Sequence, residues 1–443
     1  MGKGNQNDDG ERLKEEDLLI EVLSRLDVKT LLQCKSVSKP WYSLISTPIF
    51  IKSHLNRTLN GADNQTANLI VRRRNKKHDS FSLFQLGGCD ELVANLDFPY
   101  SKGDYGFTPL PMVIGCVCGI VCVCVDPNAG IDPNWCKSII NRQSDIYIWN
   151  PATKQSKLIP AHTLHDGEGK VFLGFGFDPI DFDFKVVKVN LSDDVFLEVY
   201  SLNRNVWRKI EIKLANKNIF KICIHGFLFT IGLNGMMAFD LNKEVFICDI
   251  QLPAHSDDAC IADFKDSIVV ILSNFGDDMI NLWTLDDEAC LRGVGVEASW
   301  TMMLTIDVGV RVDWVYGIFN SVEFLLESGD CFSYNLDKKV GRYIDTNPFF
   351  DFVDLFKYTE SLVPVAGSKL VNWSDDNEES STDSEEVSEE SSVDLEDGNE
   401  RSSVGIGSED DNEKSTVGLE DDEESSGDFV DANEEKSADS GDE

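Results

Sequence analysis

No stretch of the 443 residues approaches the ~18 consecutive apolar residues of a membrane-crossing helix. The opening MGKGNQNDDGERLKEED has no apolar core of the kind a secretory signal needs. Gly2 is followed by Lys3, Gly4, Asn5 and Gln6, without the Ser or Thr that myristoylation wants. A cytoplasmic or nuclear chain is therefore expected, with its 12 cysteines mostly reduced thiols. Catalytic signatures are missing too. There is no P-loop: GFGFDP supplies Gly174 and Gly176 but no third glycine and no following helix, and reads as a turn. No G-x-S-x-G elbow or Cys-His arrangement occurs. Histidine is scarce, and His162 and His165, in HTLH, lack a placed Cys or carboxylate partner for a metal. No catalytic residue, cofactor or metal is expected. Positive charge is also thin, 40 basic against 78 acidic residues. The one basic cluster, RRRNKK (72–77), is read as a solvated loop before a nucleic-acid contact.

What is present divides into three regions. The formal net charge of -38 is uneven: from Ser374 onward there are 29 acidic and 3 basic residues. Residues 371–443 have almost no long apolar side chains, so they cannot offset chain entropy and are expected to be disordered. One role for such a tail is solubility; another is contact with basic partners. SSTD, TDSE, SEDD and SSGD place an acid three residues after a hydroxyl, a pattern acid-directed kinases favour.

Residues 11–57 read as helical, after a disordered 1–10. EEDLLIEVLSRL sets Leu19, Val22, Leu23 and Leu26 on one helix face, with Glu15, Glu16 and Asp17 in the first turn. TLLQCKSV makes a second helix with Thr30 as its N-cap; SKPWYSLI makes a third, capped by Ser38, with Pro40 in its first turn and Pro48 ending it. Three short helices form a very small core that gains from docking on a partner. A plain helical cap on the next domain fits the periodicity equally well.

LLIEVLSRLDVKTLLQCKSVSKPWYSLISTPIFIKSHLNR (18–57) resembles a plant F-box in nearly every position. The resemblance implies docking on the Skp-type adaptor of a cullin-based ubiquitin ligase. Leu18, Leu19, Val22, Leu23, Leu26, Leu31, Leu32, Val37 and Trp41 would carry it. Glu15 and Asp27 stand where that family has proline, and Pro40 where Ser or Thr is usual. The first departure bears on docking, because the Leu-Pro edge is commonly part of the contact.

After a linker (58–68), residues 69–370 are strand-rich and repetitive. IYIWNPATKQSKLIP (146–160), LEVYSLNRNVWRKIEI (197–212), MMAFDLNKEVFICDI (236–250), NLWTLDDEACLRG (281–293) and CFSYNLDKKVGRYI (331–344) share one form. Each is an alternating strand ending in an aromatic, a polar turn, then a second strand; FSLFQLGGCDELVANL (81–96) is a looser copy. The aromatics Phe84, Trp149, Tyr200, Phe239, Trp283 and Tyr334 are 65, 51, 39, 44 and 51 residues apart. A period of this size with several strands per unit predicts a six-bladed, kelch-like β-propeller. The long first interval is taken up by the loop at 126–145. NLIVRRR (68–74) and ESLVPV (360–365) are the strands expected to close the ring. A β-sandwich is the competing architecture.

The same phrases, with LGFGFDPIDFDFKVVKV and YTESLVPV, resemble the plant F-box-associated domain, in order. The family includes F-box/kelch-type and S-locus F-box proteins, the latter recognising stylar ribonucleases. The implied function is the non-catalytic substrate-receptor subunit of an SCF-type ubiquitin ligase. It would bind the Skp-type adaptor, and through it a cullin, with the propeller holding an unidentified protein target, of basic character if charge guides it. No membrane or nucleic-acid partner is expected. A propeller scaffold with an acidic binding tail, acting outside any ligase, is the alternative.

GCVCGIVCVCV (115–125) places four cysteines at even positions. In one continuous strand they would share a face, the outer two about 26 Å apart at ~3.3 Å per residue, too spread for a single zinc. A turn at Cys118-Gly119 would instead make an apolar hairpin at the start of a blade, with thiols as small buried hydrophobes.

Overall fold

The computed structural model describes residues 17–370 apart from 61–65, 75–78, 88–89, 99–109, 127–139, 142–143, 161–169, 191–195, 212–219, 221, 233–234, 257, 275, 292–296, 321, 345–350, 366 and 368. His162, His165, Lys76, Lys77, Glu15 and the acidic stretch 371–443 thus lie outside the described residues.

Four helices, not three, come first: α1 (17–23), α2 (Val28–Cys34), α3 (Lys39–Ile45) and α4 (Pro48–Asn60). Pro48 does not merely end α3. Proline is tolerated in a first turn, where its missing N–H would have no partner anyway, and the Thr47 hydroxyl accepts from the Phe50 N–H at 3.2 Å. The cap of α2 is also corrected, from Thr30 to Asp27: the Asp27 carboxylate accepts from the Thr30 N–H at 2.7 Å and from its hydroxyl at 3.0 Å. Ser38 caps α3 as expected, accepting from the Trp41 N–H. Leu23, Val28, Leu31, Ile45, Phe50 and Leu55 fill the helical core.

The strands form six sheets around an axis, so the chain is a propeller and not a sandwich. Blade 1 holds Ala67–Arg74, Asp79–Leu86 and Glu91–Leu96. Blade 2 holds Leu110–Val117, Ile120–Asp126, Asp145–Asn150 and Gln155–Leu158. Blade 3 holds Lys170–Asp178, Asp183–Asn190, Phe196–Ser201 and Val206–Glu211. Blade 4 holds Ile222–Ile224, Phe227–Gly232, Gly235–Asp240 and Val245–Ile250. Blade 5 holds Asp258–Phe264, Ser267–Ser273, Met279–Leu285 and Trp300–Asp307, and blade 6 Trp314–Ile318, Glu323–Ser328, Asp330–Asn335 and Val340–Tyr343. Asp351–Tyr358 completes blade 1 by pairing with Ala67–Arg74.

The ring is closed by the expected N-terminal strand, but the C-terminal partner is 351–358 rather than ESLVPV, which follows it. Arg72, read with the basic loop, sits on the closing strand and is buried. The six repeat aromatics occupy one equivalent place, the third strand of each blade. Phe84, Trp149, Tyr200, Phe239 and Tyr334 are buried and Trp283 is half-buried. The polar turn after that strand repeats too. In blades 2, 3, 4 and 6 it ends on a left-handed residue, Lys154, Asn205, Glu244 and Lys339, at φ 53° to 58°. Asn150, Ser201, Asp240 and Asn335 accept turn N–H groups with their side chains.

The cysteine run is a hairpin in blade 2, turning at Cys118 (φ 51°) and Gly119 (φ 78°). The positive φ at both turn positions suits a two-residue hairpin loop. Cys122 and Cys124 pack into one apolar cluster, while Val121, Val123 and Val125 pack into another. Among the described residues no group of His, Cys, Asp and Glu is placed to hold a metal ion.

Every strand pairing within the blades is antiparallel. Strand direction therefore alternates, and this sorts the connections. The turns between strands one and two and between three and four lie at one face; those between strands two and three, and from blade to blade, lie at the other. The helices sit at the first face: Lys52 of α4 is 4.2 Å from the ring of Phe182, in a turn between strands one and two. The long connections 97–109, 127–144, 159–169 and 212–221 join strand ends at the opposite face.

Candidate functional site

The helices keep part of their apolar surface uncovered. Leu18 and Val22, four residues apart on one face of α1, are 67% and 59% exposed. Val37, between α2 and α3, Tyr42 on α3 and Ile49 at the start of α4 are 66%, 59% and 82% exposed. Burying one such side chain fully is worth about 1.5–3 kcal/mol, so this is stabilisation left for a partner. Around it, Glu21 takes both Arg25 (2.6 Å) and Arg57 (3.4 Å), and these cations hold its carboxyl below the usual range. Residues 28–60 contain no acid, and Lys35 and Lys39 flank Val37.

The sequence-predicted docking residues divide. Leu18, Val22 and Val37 are exposed; Leu19, Leu26, Leu32 and Trp41 are half-buried; Leu23 and Leu31 are inside the core. The i, i+3, i+4 pattern marks the buried stripe, so it selects core residues along with surface ones. Tyr42 and Ile49 were missed for the same reason: they are apolar residues off that stripe.

In the propeller, polar side chains instead tie neighbouring blades together. At the seam of blades 6 and 1, Arg342 meets both oxygens of Asp90 (2.6 and 2.9 Å) and Glu323 (2.9 Å). Donating these hydrogen bonds to the Asp90 carboxylate pushes the guanidinium pKa further up. At the seam of blades 3 and 4, Lys185 reaches Asp178 (3.1 Å), Glu244 (3.4 Å) and the Leu241 carbonyl. Burial pushes the Asp178 carboxyl up, but bonds from Asn242 and Lys185 outweigh it and hold the pKa below the usual range. Two indoles make matching latches: Trp207 donates to the Pro160 carbonyl and Trp300 to that of Gln251, each at 2.8 Å, in the segment just past the preceding blade.

A cavity beside the inner strands of blades 1 to 4 is lined by residues such as Ile114, Cys116, Phe175, Ile222, Cys223 and Phe356, with no carboxylate, imidazole or hydroxyl side chain. Burial pushes the Cys116 thiol far up and that of Cys223 to about 11, so neither is a thiolate at neutral pH.

An apolar helical face set on a six-bladed ring has a counterpart in sequence. The family described as "F-box domain" matches residues 16–53, and "F-box associated beta propeller domain" matches 68–291, half of the chain. This is a plant F-box protein with an F-box-associated domain. The F-box protein CPR1 of Arabidopsis thaliana is 25% identical over 339 residues, 66% of this chain and 72% of that one. F-box protein At4g22390 is 29% identical over 298 residues, covering 62% and 66%, and F-box protein DOR 28% over 244, covering 52% and 59%, both from the same plant. The F-box match ends inside α4, whereas that helix runs to Asn60. The match to the F-box-associated domain ends in blade 5, and the ring continues to Tyr358. An F-box is a docking module for the Skp-type adaptor of SCF ubiquitin ligases, and F-box proteins serve those ligases as substrate adaptors.

Proposed function

We propose that this chain is the substrate receptor of an SCF-type ubiquitin ligase in the cytoplasm or nucleus. Its F-box docks on a Skp-type adaptor, joined in turn to a cullin, through Leu18, Val22 and Val37 and the half-buried residues beside them. The propeller holds a target protein for ubiquitination and degradation. The observation that carries this reading is the uncovered apolar face of helices α1 to α4, seated on a closed propeller. The chain supplies no catalytic group. It works by proximity, raising the effective concentration of target lysines near the charged conjugating enzyme.

The target meets the face opposite the helices, where second strands end and third strands begin. The acidic excess of the chain favours a basic target, and recognition of a ribonuclease, as by S-locus F-box proteins, is the specific form this would take. The test is capture of a purified Skp-type adaptor by the full-length chain. Val22→Asp with Val37→Asp should weaken binding at least about tenfold, as for anchor residues of an interface, with the circular dichroism spectrum unchanged. An intact protein that does not bind the adaptor would overturn the reading and leave a propeller scaffold outside any ligase.

A further inference from the structure

Asn150 does two things, and only one of them needs an amide. Its Oδ1 accepts from the backbone N–H groups of Ala152 and Thr153 at 3.0 and 3.2 Å, capping the turn after the third strand of blade 2. At the same place in blade 4, Asp240 accepts from Asn242 and Lys243, both at 2.9 Å. A carboxylate therefore suffices for the turn. What aspartate lacks is Nδ2, which in Asn150 donates to the carbonyls of Ser361 and Val363 at 3.0 and 2.8 Å. Asn150 and Ser361 are both fully buried.

Those carbonyls belong to residues 359–365, which include the ESLVPV expected to close the ring. It runs across blade 2 instead, towards Lys369–Leu370, which pairs with Ser156 and Gln155 on the outer strand. The Val365 N–H donates to the Gln155 side chain at 3.1 Å. A Cβ on Gly119 would come within 2.5 Å of the Thr359 carbonyl, so the segment lies directly on the cysteine hairpin. Leu362, Val363 and Val365 belong to the apolar cluster that also holds Leu31 and Phe50 of the helices. Burial first, and then the charge of Asp27 at the start of α2, raises the Glu360 carboxyl pKa.

We propose that residues 359–365 form a strap that seats the F-box on the propeller. Asn150 is its positioning residue, setting the F-box orientation through the strap carbonyls. The strap would fix the distance between adaptor and target; that consequence rests on the ligase reading, while the seating does not. The discriminating variant is Asn150→Asp in the full-length chain, which keeps the turn cap and turns a carboxylate oxygen on the two carbonyls. Hydrogen exchange should quicken about tenfold in α1 to α4, the factor for losing a buried hydrogen bond, with strands 145–150 and 155–158 unchanged. Unchanged helices, or blade 2 loosening as much as the helices, would overturn the proposal. Should that variant fail to fold, Gln155→Ala removes the milder contact, and about threefold faster exchange confined to the helices is expected; no change there would also overturn it. A wild-type chain that fails to bind the adaptor would sink the ligase reading without touching this readout.

Discussion

In residues 17–60, five large apolar side chains are 59–82% exposed. In the propeller, nearly seven times longer, the exposed large apolar side chains are mostly rim residues on fourth strands, among them Leu158, Val206, Val245, Val340 and Tyr343 at 48–60%. The helices keep apolar surface for something else to cover. The blades cover one another, and polar side chains tie their seams. A fold can thus be incomplete at one end and closed upon itself at the other, and the incomplete end is where a partner is required.

Changing a residue on each side of this contrast would sharpen or break it. The largest effect is expected within a blade. Phe239→Ala, at a fully buried third-strand position, should cost about 3–5 kcal/mol in chemical denaturation; a loss under about 1 kcal/mol would mean the blades are less tightly packed than the helices. Next is the seam that closes the ring. Arg342→Met leaves Asp90 and Glu323 without their cation, and since Arg342 is itself about a third exposed, a loss of about 2 kcal/mol is expected. A seam serving closure should show this as faster hydrogen exchange in 67–74 and 351–358; loss spread evenly over all blades would argue otherwise. The smallest effect is at the helices. Asp27→Ala removes the α2 cap, costing about 1 kcal/mol. Bonds from Thr30 lower the Asp27 pKa in the folded chain, so its contribution is present above the usual aspartate range and fades as pH falls through the lowered value. Urea titrations at pH 7 and pH 2.5 should show the gap between wild type and variant narrowing in acid.

Periodicity made much of this legible. The aromatics mark the blades because each lies on the third strand of an equivalent sheet, and in blades 2, 3, 4 and 6 the turn repeats because it ends on a left-handed residue. Within the F-box the stripe gave the core, Leu23 and Leu31, more readily than the docking face. Asp27 stands at a family proline position and Thr30 is an equally plausible cap by composition, so the capping role of Asp27 shows only in the fold. The seams were not legible at all: Arg342 and Asp90 are 252 residues apart. ESLVPV was misplaced for a subtler reason. A short apolar run at the C-terminal end of the repeats fits a closing strand, and only the fold shows that Asp351–Tyr358 already fills that place.

The sorting of connections has a consequence for how such a protein can change over generations. A gene that lengthens a connection between second and third strands, or between blades, acts at one face of the propeller while the turns beneath the helices keep their lengths. Novelty in what is recognised and constancy in what is joined can then be inherited separately, from a single continuous chain.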